Sequence, residues 1–328
     1  MDGVLPFLKP PGITSHDAVA ICRRILKEKR IGHSGTLDPM AYGVLPIFLG
    51  KATRLIEYTD EFSKTYVAEC KFGTFTDTED STGQPVLPDS SISLVPGVVL
   101  HENMVHTNSS DETDYIENVV PVGSYITDDI MVPSWQQLNE VLATFVGTQQ
   151  QTPSKYSAIK VNGIRAYEYA RKGIPIELPS RAITIESIEL LAYGFPYFTI
   201  RVTCSGGTYI RSLLRDICLK LGIPGTMMSL VRTEVGPFTI KGSYMAEELM
   251  VRGESLLLPT DSAVLHLSKI DVDSVQLKMM VQGKELPIVE SFAHTVPSQY
   301  YRAYGPSGFI GIVKRTSQSI RVEKNIFI

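Results

Sequence analysis

The sequence predicts an α+β protein: a mainly antiparallel mixed sheet flanked by helices, followed by a small β domain. Three observations carry this. A chain of 328 residues with 43% hydrophobic content buries a large core and suits two domains. Up to about residue 264, helical and strand patterns mix without regular strand–helix–strand alternation. Beyond it the pattern changes to short segments, VQLKMMVQG, KELPIVE, QYYRAYG, GFIGIVKR and SIRVEKNIFI, separated by glycine, proline and serine.

Taken in order, residues 15–32 begin with Ser15 as the expected N-cap, carry Val19, Cys22, Ile25 and Leu26 at helical spacing, and stop at Gly32. The other side of this helix presents Arg23, Arg24, Lys27 and Arg30, as suited to a solvated face as to phosphates. IGHSGTLDPMAYGVLPI, from Ile31 to Ile47, surrounds one carboxylate, Asp38, with glycines and apolar residues and offers no metal ligands. Gly32, Gly35 and Gly43 allow sharp turns or close approach, and Pro39 biases Asp38 towards an extended conformation. The segment reads as a rigid loop holding one acid, although an isolated Asp-Pro is ordinarily a plain turn. In KTYVAECKF, residues 64–72, Tyr66, Ala68, Cys70 and Phe72 share one face of a half-buried strand.

Residues 85–145 contain nine acids and no Lys or Arg, which leaves 31 basic against 26 acidic side chains elsewhere, so the net charge of −4 conceals a remainder that is net positive. This acidic insertion, 84–133, is expected to lie away from any RNA, so that its deletion leaves RNA affinity nearly unchanged. Ser134 with Gln137 forms a capping box for a structural helix carrying Leu138, Val141, Leu142 and Phe145 and ending at Gly147. Lys155, Lys160, Arg165, Arg171 and Lys172 are interleaved with Tyr156, Tyr167 and Tyr169, a composition for phosphate contacts and base stacking, or for a helix with a solvated basic side. YFTIRVTC at 197–204 is a strand, and the chain then turns through Gly206 and Gly207 into a helix capped near Thr208 and closed by Gly222. From spacing alone, Arg211 and Arg215 on that helix equally form an exposed basic pair.

Cys22, Cys70, Cys204 and Cys218 form no C-x-x-C pair and read as reduced, structural residues. There is no apolar run of about eighteen residues, and MDGVLPFLKPPG lacks the plan of a signal peptide, so the cytoplasm is the expected compartment and no membrane association is expected. Gly50-Lys51-Ala52-Thr53 fails the spacing of a phosphate loop, and neither a cofactor-binding glycine loop nor clustered metal ligands appear.

GHSGTLDPMAYGVLPI resembles the catalytic motif of the bacterial tRNA pseudouridine synthase B family, GHxGTLDPxAxGxLP. Further blocks follow in the family's order: LKPPGITS, KTYVA, TDTEDSTG, YSAIKVNGIRAYEYARKG, GTYIRSLLRDI and LVRTEVGPF. Three departures stand out: Leu8 in place of an acid before Lys9, Val231 in place of one arginine of a Leu-Arg-Arg-Thr block, and the long segment at about 84–133. The resemblance implies the pseudouridine synthase fold over residues 1–264, with a thumb at 149–176 that clamps the T-arm of tRNA, and a PUA-like RNA-binding domain over 265–328. It implies conversion of uridine 55 (tRNA numbering), with no cofactor and no obligate protein partner. Asp38 is then catalytic, Arg211 its counter-ion, and Tyr66 a stacking platform and proton-transfer group. His33, Tyr209, Leu230, Lys9, Lys155, Lys160, Arg165 and Arg171 are then substrate-binding residues. Two rivals remain: a non-catalytic tRNA-binding or folding protein, for which Asp38 is dispensable, and a pseudouridine synthase acting on another RNA.

Overall fold

A computed structural model describes residues 1–86, 132–157, 159–161 and 163–326. The acidic insertion therefore falls almost entirely outside the described residues. In chain order the elements are β1 (Gly3–Lys9), α1 (Ser15–Leu26), β2 (Ile31–His33), β3 (Tyr42–Leu49), β4 (Lys64–Phe72), α2 (Trp135–Ala143), β5 (Gly147–Gln151), β6 (Lys160–Val161), β7 (Ile164–Arg165) and α3 (Ala166–Arg171). There follow β8 (Arg181–Gly194), β9 (Tyr197–Cys204), α4 (Ile210–Lys220), β10 (Gly225–Val235), β11 (Phe238–Thr239), α5 (Ala246–Arg252), β12 (Ser268–Asp271), α6 (Ser274–Val281), β13 (Leu286–Pro287), β14 (Tyr300–Gly305), β15 (Gly308–Arg315) and β16 (Ser319–Asn325). The chain divides into two compact units, residues 1–62 with 233–328, and residues 63–232.

In the first unit, β3 pairs antiparallel with β1 and with β2. Helix α1 lays Ala18, Val19, Cys22 and Leu26 against Leu5, Phe7, Leu45 and Ile47. It is shorter than the sequence predicts. Thr14 rather than Ser15 caps it, in a reciprocal capping box with Asp17, and it ends where Lys27 turns left-handed at φ 53°. Ile31–His33, expected to close the helix, instead pairs with Ile47–Leu49, because strand pairing satisfies its backbone groups. The C-terminal sheet has the order β12-β14-β15-β16-β13, antiparallel except for β12 with β14, over its own core of Ile270, Leu286, Phe292, Tyr301 and Val313. Ile312 and Ile326 from it join a cluster with Val4, Val44, Phe48 and Leu55.

In the second unit, β10, β4, β9, β8 and β5 are successive neighbours, and β4–β9, β9–β8 and β8–β5 are antiparallel. The alternation read in β4 holds from Tyr66 onwards, with Tyr66, Ala68, Cys70 and Phe72 buried and Val67, Glu69 and Lys71 only half-buried, but fails at Thr65, which belongs to the second face and is buried as well. Ser134 and Gln137 form the expected capping box of α2, which closes at Thr144, before Gly147. Helix α4 starts after Tyr209, and the Thr208 hydroxyl donates instead to the Ser205 carbonyl. No helix among the described residues is long and apolar enough to cross a membrane.

All four cysteines are free and buried. Burial pushes the Cys22 thiol up to about 12 and Cys204 up to about 11, and raises Cys70, whose Sγ lies 3.6 Å from that of Cys218. A disulfide-exchange reagent at pH 8 is therefore expected to label none of the four in the native protein and all four after denaturation. Stoichiometric labelling of the native state within minutes would contradict this burial.

Candidate functional site

Asp38 sits in the loop between β2 and β3, half-buried, between the buried Leu37 and the exposed Pro39. The loop is held by its backbone. Ser15 Oγ accepts from the Leu37 N–H at 2.8 Å and donates to the Leu37 carbonyl at 3.0 Å. Gly12 N–H donates to the Pro39 carbonyl at 2.8 Å, and the Ala41 N–H closes a turn onto the Asp38 carbonyl at 3.1 Å. The Ser34 and Thr59 hydroxyls bond to each other at the entry to the loop, and Gly35 takes φ 66°, a conformation that a side chain disfavours. His33, half-buried, is the last residue of β2, paired with Ile47.

Lys9 requires a correction. The sequence reading places it on the substrate, but it is fully buried, and its ammonium donates to the carbonyls of Pro10 at 2.8 Å, Ile13 at 2.9 Å and Pro39 at 3.2 Å. A cation taken out of water needs such acceptors. Lys9 is an internal brace beneath the Asp38 loop, not a surface that RNA reaches.

The second unit holds Tyr66 on β4, Tyr209 and Arg211 at the start of α4, and Leu230 on β10, with Tyr66, Arg211 and Leu230 all buried. The exposed basic pair allowed by spacing is excluded. Arg211 is 5% exposed, donating to the carbonyls of Thr78 at 2.9 Å and Tyr156 at 3.1 Å, and lies 3.6 Å from Asp80 Oδ2. Arg215 pairs with Glu79 and Asp216, and Ser212 donates to Glu79. Burial would lower the Arg215 pKa, but the two carboxylates outweigh it and raise it. Positions 211, 212 and 215 lie on one face of the helix, so α4 and the 76–83 turn lock together.

Asp80 is the group that the sequence reading quoted within TDTEDSTG without singling out. Its Oδ1 accepts from the Thr78 hydroxyl at 2.8 Å, the Thr82 hydroxyl at 2.6 Å and the Thr82 N–H at 3.0 Å, which leaves Oδ2 facing Arg211. Asp80→Asn keeps an oxygen for the threonines but turns an NH2 towards the guanidinium, donor against donor. It is expected to lower kcat by about tenfold to a hundredfold with little change in RNA affinity. A kcat within twofold of wild type would show that Arg211 does not need this carboxylate.

The β6–β7 hairpin and α3 carry the basic segment. Lys155, Lys160, Arg165, Arg171 and Lys172 are exposed, and Tyr167 lies between Arg165 and Arg171, with guanidinium carbons 6.0 and 5.3 Å from its ring centre. The other two tyrosines are tethered by their hydroxyls, Tyr156 to Asp77 at 3.0 Å and Tyr169 to the Val161 carbonyl at 3.4 Å. Burial and the Asp77 bond raise the pKa of Tyr156.

Residues 23–124 and 103–210 match the model of the TruB family pseudouridylate synthase N-terminal domain. The chain belongs to the TruB family. It is 39% identical over 88% of its length to tRNA pseudouridine synthase B of Halalkalibacterium halodurans, covering 85% of that protein. With the protein of the same name from Caldanaerobacter subterraneus it shares 37% identity over 99% of both chains, and with that from Bacillus subtilis 36% over 94% of this chain and 91% of that one. Among solved structures it is similar to a chain of a Cbf5-Nop10-Gar1 complex (TM-score 0.67, 24% identity, 98% of this chain and 84% of that one). A chain from an H/ACA RNP bound to a substrate RNA containing 2'-deoxyuridine gives TM-score 0.66 at 22% identity, over 99% and 85%. At these identities the structural likeness shows the fold, α+β as the sequence predicts.

Two polar groups carry no recognisable signal of their contacts in the sequence, for a definable reason. Asp80 sat within a quoted block whose alternating threonines and acids signal a tight polar turn. Gln151, only 2% exposed, bonds both the N–H and the carbonyl of Tyr209, and nothing in GTQQQ marks that contact.

Proposed function

We propose that this chain is a cytoplasmic tRNA pseudouridine synthase that isomerises uridine 55 of the T-loop, with Asp38 as the catalytic group. The observation that carries this reading is a single carboxylate in a backbone-pinned loop, in a chain that belongs to a family of pseudouridylate synthases. Its relatives are named tRNA pseudouridine synthase B.

The reaction breaks the bond between ribose C1′ and uracil N1, turns the base and rejoins it through C5. No oxidant or phosphoryl donor enters the balance. A nucleophile or base must stand ionised at the nucleoside, away from bulk water. In this proposal Arg211 is the counter-ion of Asp38, its planar fork suited to both carboxylate oxygens. Asp80 and the Thr78 and Tyr156 carbonyls set the orientation of Arg211. Tyr66 offers a ring to the uracil and a hydroxyl for proton transfer, Tyr209 and Leu230 line the base pocket, and His33 helps to hold the nucleotide out of the stack. Extracting a stacked uridine costs a few kcal/mol, offset by contacts elsewhere. The thumb supplies them through Lys155, Lys160, Arg165 and Arg171 on the T-arm, and residues 265–328 add a PUA-like RNA-binding domain.

Release of tritium from C5 of uridine in an unmodified tRNA transcript tests the reading, because isomerisation leaves the mass unchanged. Release is expected from the transcript with uridine at 55 and not from one with cytidine there. Release from both would point to another position. Binding of both without release would favour the RNA-binding protein.

A further inference from the structure

Arg181 opens β8 directly opposite Gln151 of β5, and this cross-strand pair grips Tyr209 from two sides. Gln151 accepts from the Tyr209 N–H at 2.9 Å and donates to its carbonyl at 3.0 Å. Arg181 lays its guanidinium over the Tyr209 ring, with Cζ 4.5 Å from the ring centre. The Gly207 backbone, at φ +85°, closes on the same group: a Cβ there would stand 3.2 Å from Arg181 Cζ and 3.3 and 3.4 Å from its terminal nitrogens. Side chain, ring and glycine form one packed unit.

The polar side of that unit is unmatched. Arg181 Nε is shut off from solvent and meets no acceptor, and among the described residues the guanidinium has no hydrogen bond and no ion pair. Three other arginines of the same unit each face a carboxylate, Arg211 that of Asp80, Arg215 that of Glu79 and Arg201 that of Glu189, whereas Arg165 and Arg171 are exposed to solvent. A guanidinium keeps its charge at every accessible pH and carries five donors in one plane. With one face on Tyr209 and Nε buried, the two terminal nitrogens also have no acceptor among the described residues, and a half-buried cation with unmatched donors is unfavourable unless an acceptor comes from outside. The ligand best suited to a guanidinium edge is a phosphate, held by two parallel hydrogen bonds.

We propose that Arg181 binds a backbone phosphate of the substrate RNA beside the nucleotide placed on Tyr209. One side chain then sets both the ring and the strand, so the phosphate and the base pocket are in register. A lysine would supply the charge without the flat face, and a glutamine the hydrogen bonds without the charge. The inference rests on the reading of an RNA substrate given above.

The test uses the full chain and an unmodified tRNA transcript, with Arg181→Gln and Arg181→Lys. Kd is measured by filter binding and kcat and KM by tritium release, each at several salt concentrations. Arg181→Gln is expected to raise Kd roughly tenfold and to reduce the slope of log Kd against log salt by about 0.7 to 0.9, the contribution of one phosphate contact. Arg181→Lys is expected to restore the slope. An unchanged slope with Arg181→Gln overturns the proposal, and a kcat loss at unchanged slope assigns Arg181 only the support of Tyr209. Wild-type binding without tritium release would instead overturn the isomerase reading, while the slope would still report on the phosphate contact.

Discussion

Asp38→Asn is expected to abolish tritium release from the tRNA transcript, lowering the rate by at least roughly 10⁴-fold, while RNA affinity stays within a few fold of wild type. The substitution is isosteric. The loop bonds described above run through the backbone of Leu37, Asp38, Pro39 and Ala41 and through Ser15 and Lys9, so they do not depend on the carboxylate. The amide removes both the nucleophile and the base, and groups in that role contribute several orders of magnitude. Single-turnover release, measured beside RNA binding and thermal unfolding of the same variant, separates chemistry from folding. Activity within tenfold of wild type would sink the assignment of Asp38 and favour the non-catalytic reading.

Lys9→Met is expected to have the largest effect on stability. Methionine fits the length of the site and removes a buried charge, but the Pro10 and Ile13 carbonyls lose the ammonium that they share. Pro39 keeps its bond from Gly12. Pro10 and Ile13 are half-buried, so each acceptor left without its donor costs about 1 to 2 kcal/mol, the lower part of the range for buried groups. That places the net loss at about 3 kcal/mol, or roughly 6 to 12 °C in Tm for a unit of this size. Because the same ammonium ties the Asp38 loop to the segment after β1, kcat is expected to fall about a hundredfold or more at temperatures where the variant is still folded. Unchanged Tm and kcat would mean that Lys9 is dispensable beneath the loop.

The acidic insertion, 84–133, carries negative charge and no Lys or Arg. Its expected neutrality for RNA affinity is checked by deleting residues 84–133 and repeating the binding measurement, and a severalfold change in Kd in a variant that still folds would contradict it.

The sequence by itself determined what depends on neighbours along the chain. The reciprocal cap of Ser134 and Gln137, the alternation of Tyr66, Ala68, Cys70 and Phe72, and the span of β9 are local patterns that the backbone geometry reads directly. The motif around Asp38 was legible for the same reason, as a contiguous run. Only the tertiary structure decided the end of α1, because pairing of Ile31–His33 with β3 overrode a periodic pattern that favoured helix. Partners far apart in sequence were likewise invisible: Lys9 with Pro39, Arg211 with Asp80, and Arg181 with Tyr209. A charged side chain looks the same in sequence whether it faces water or buried acceptors, and only the fold specifies which acceptors surround it.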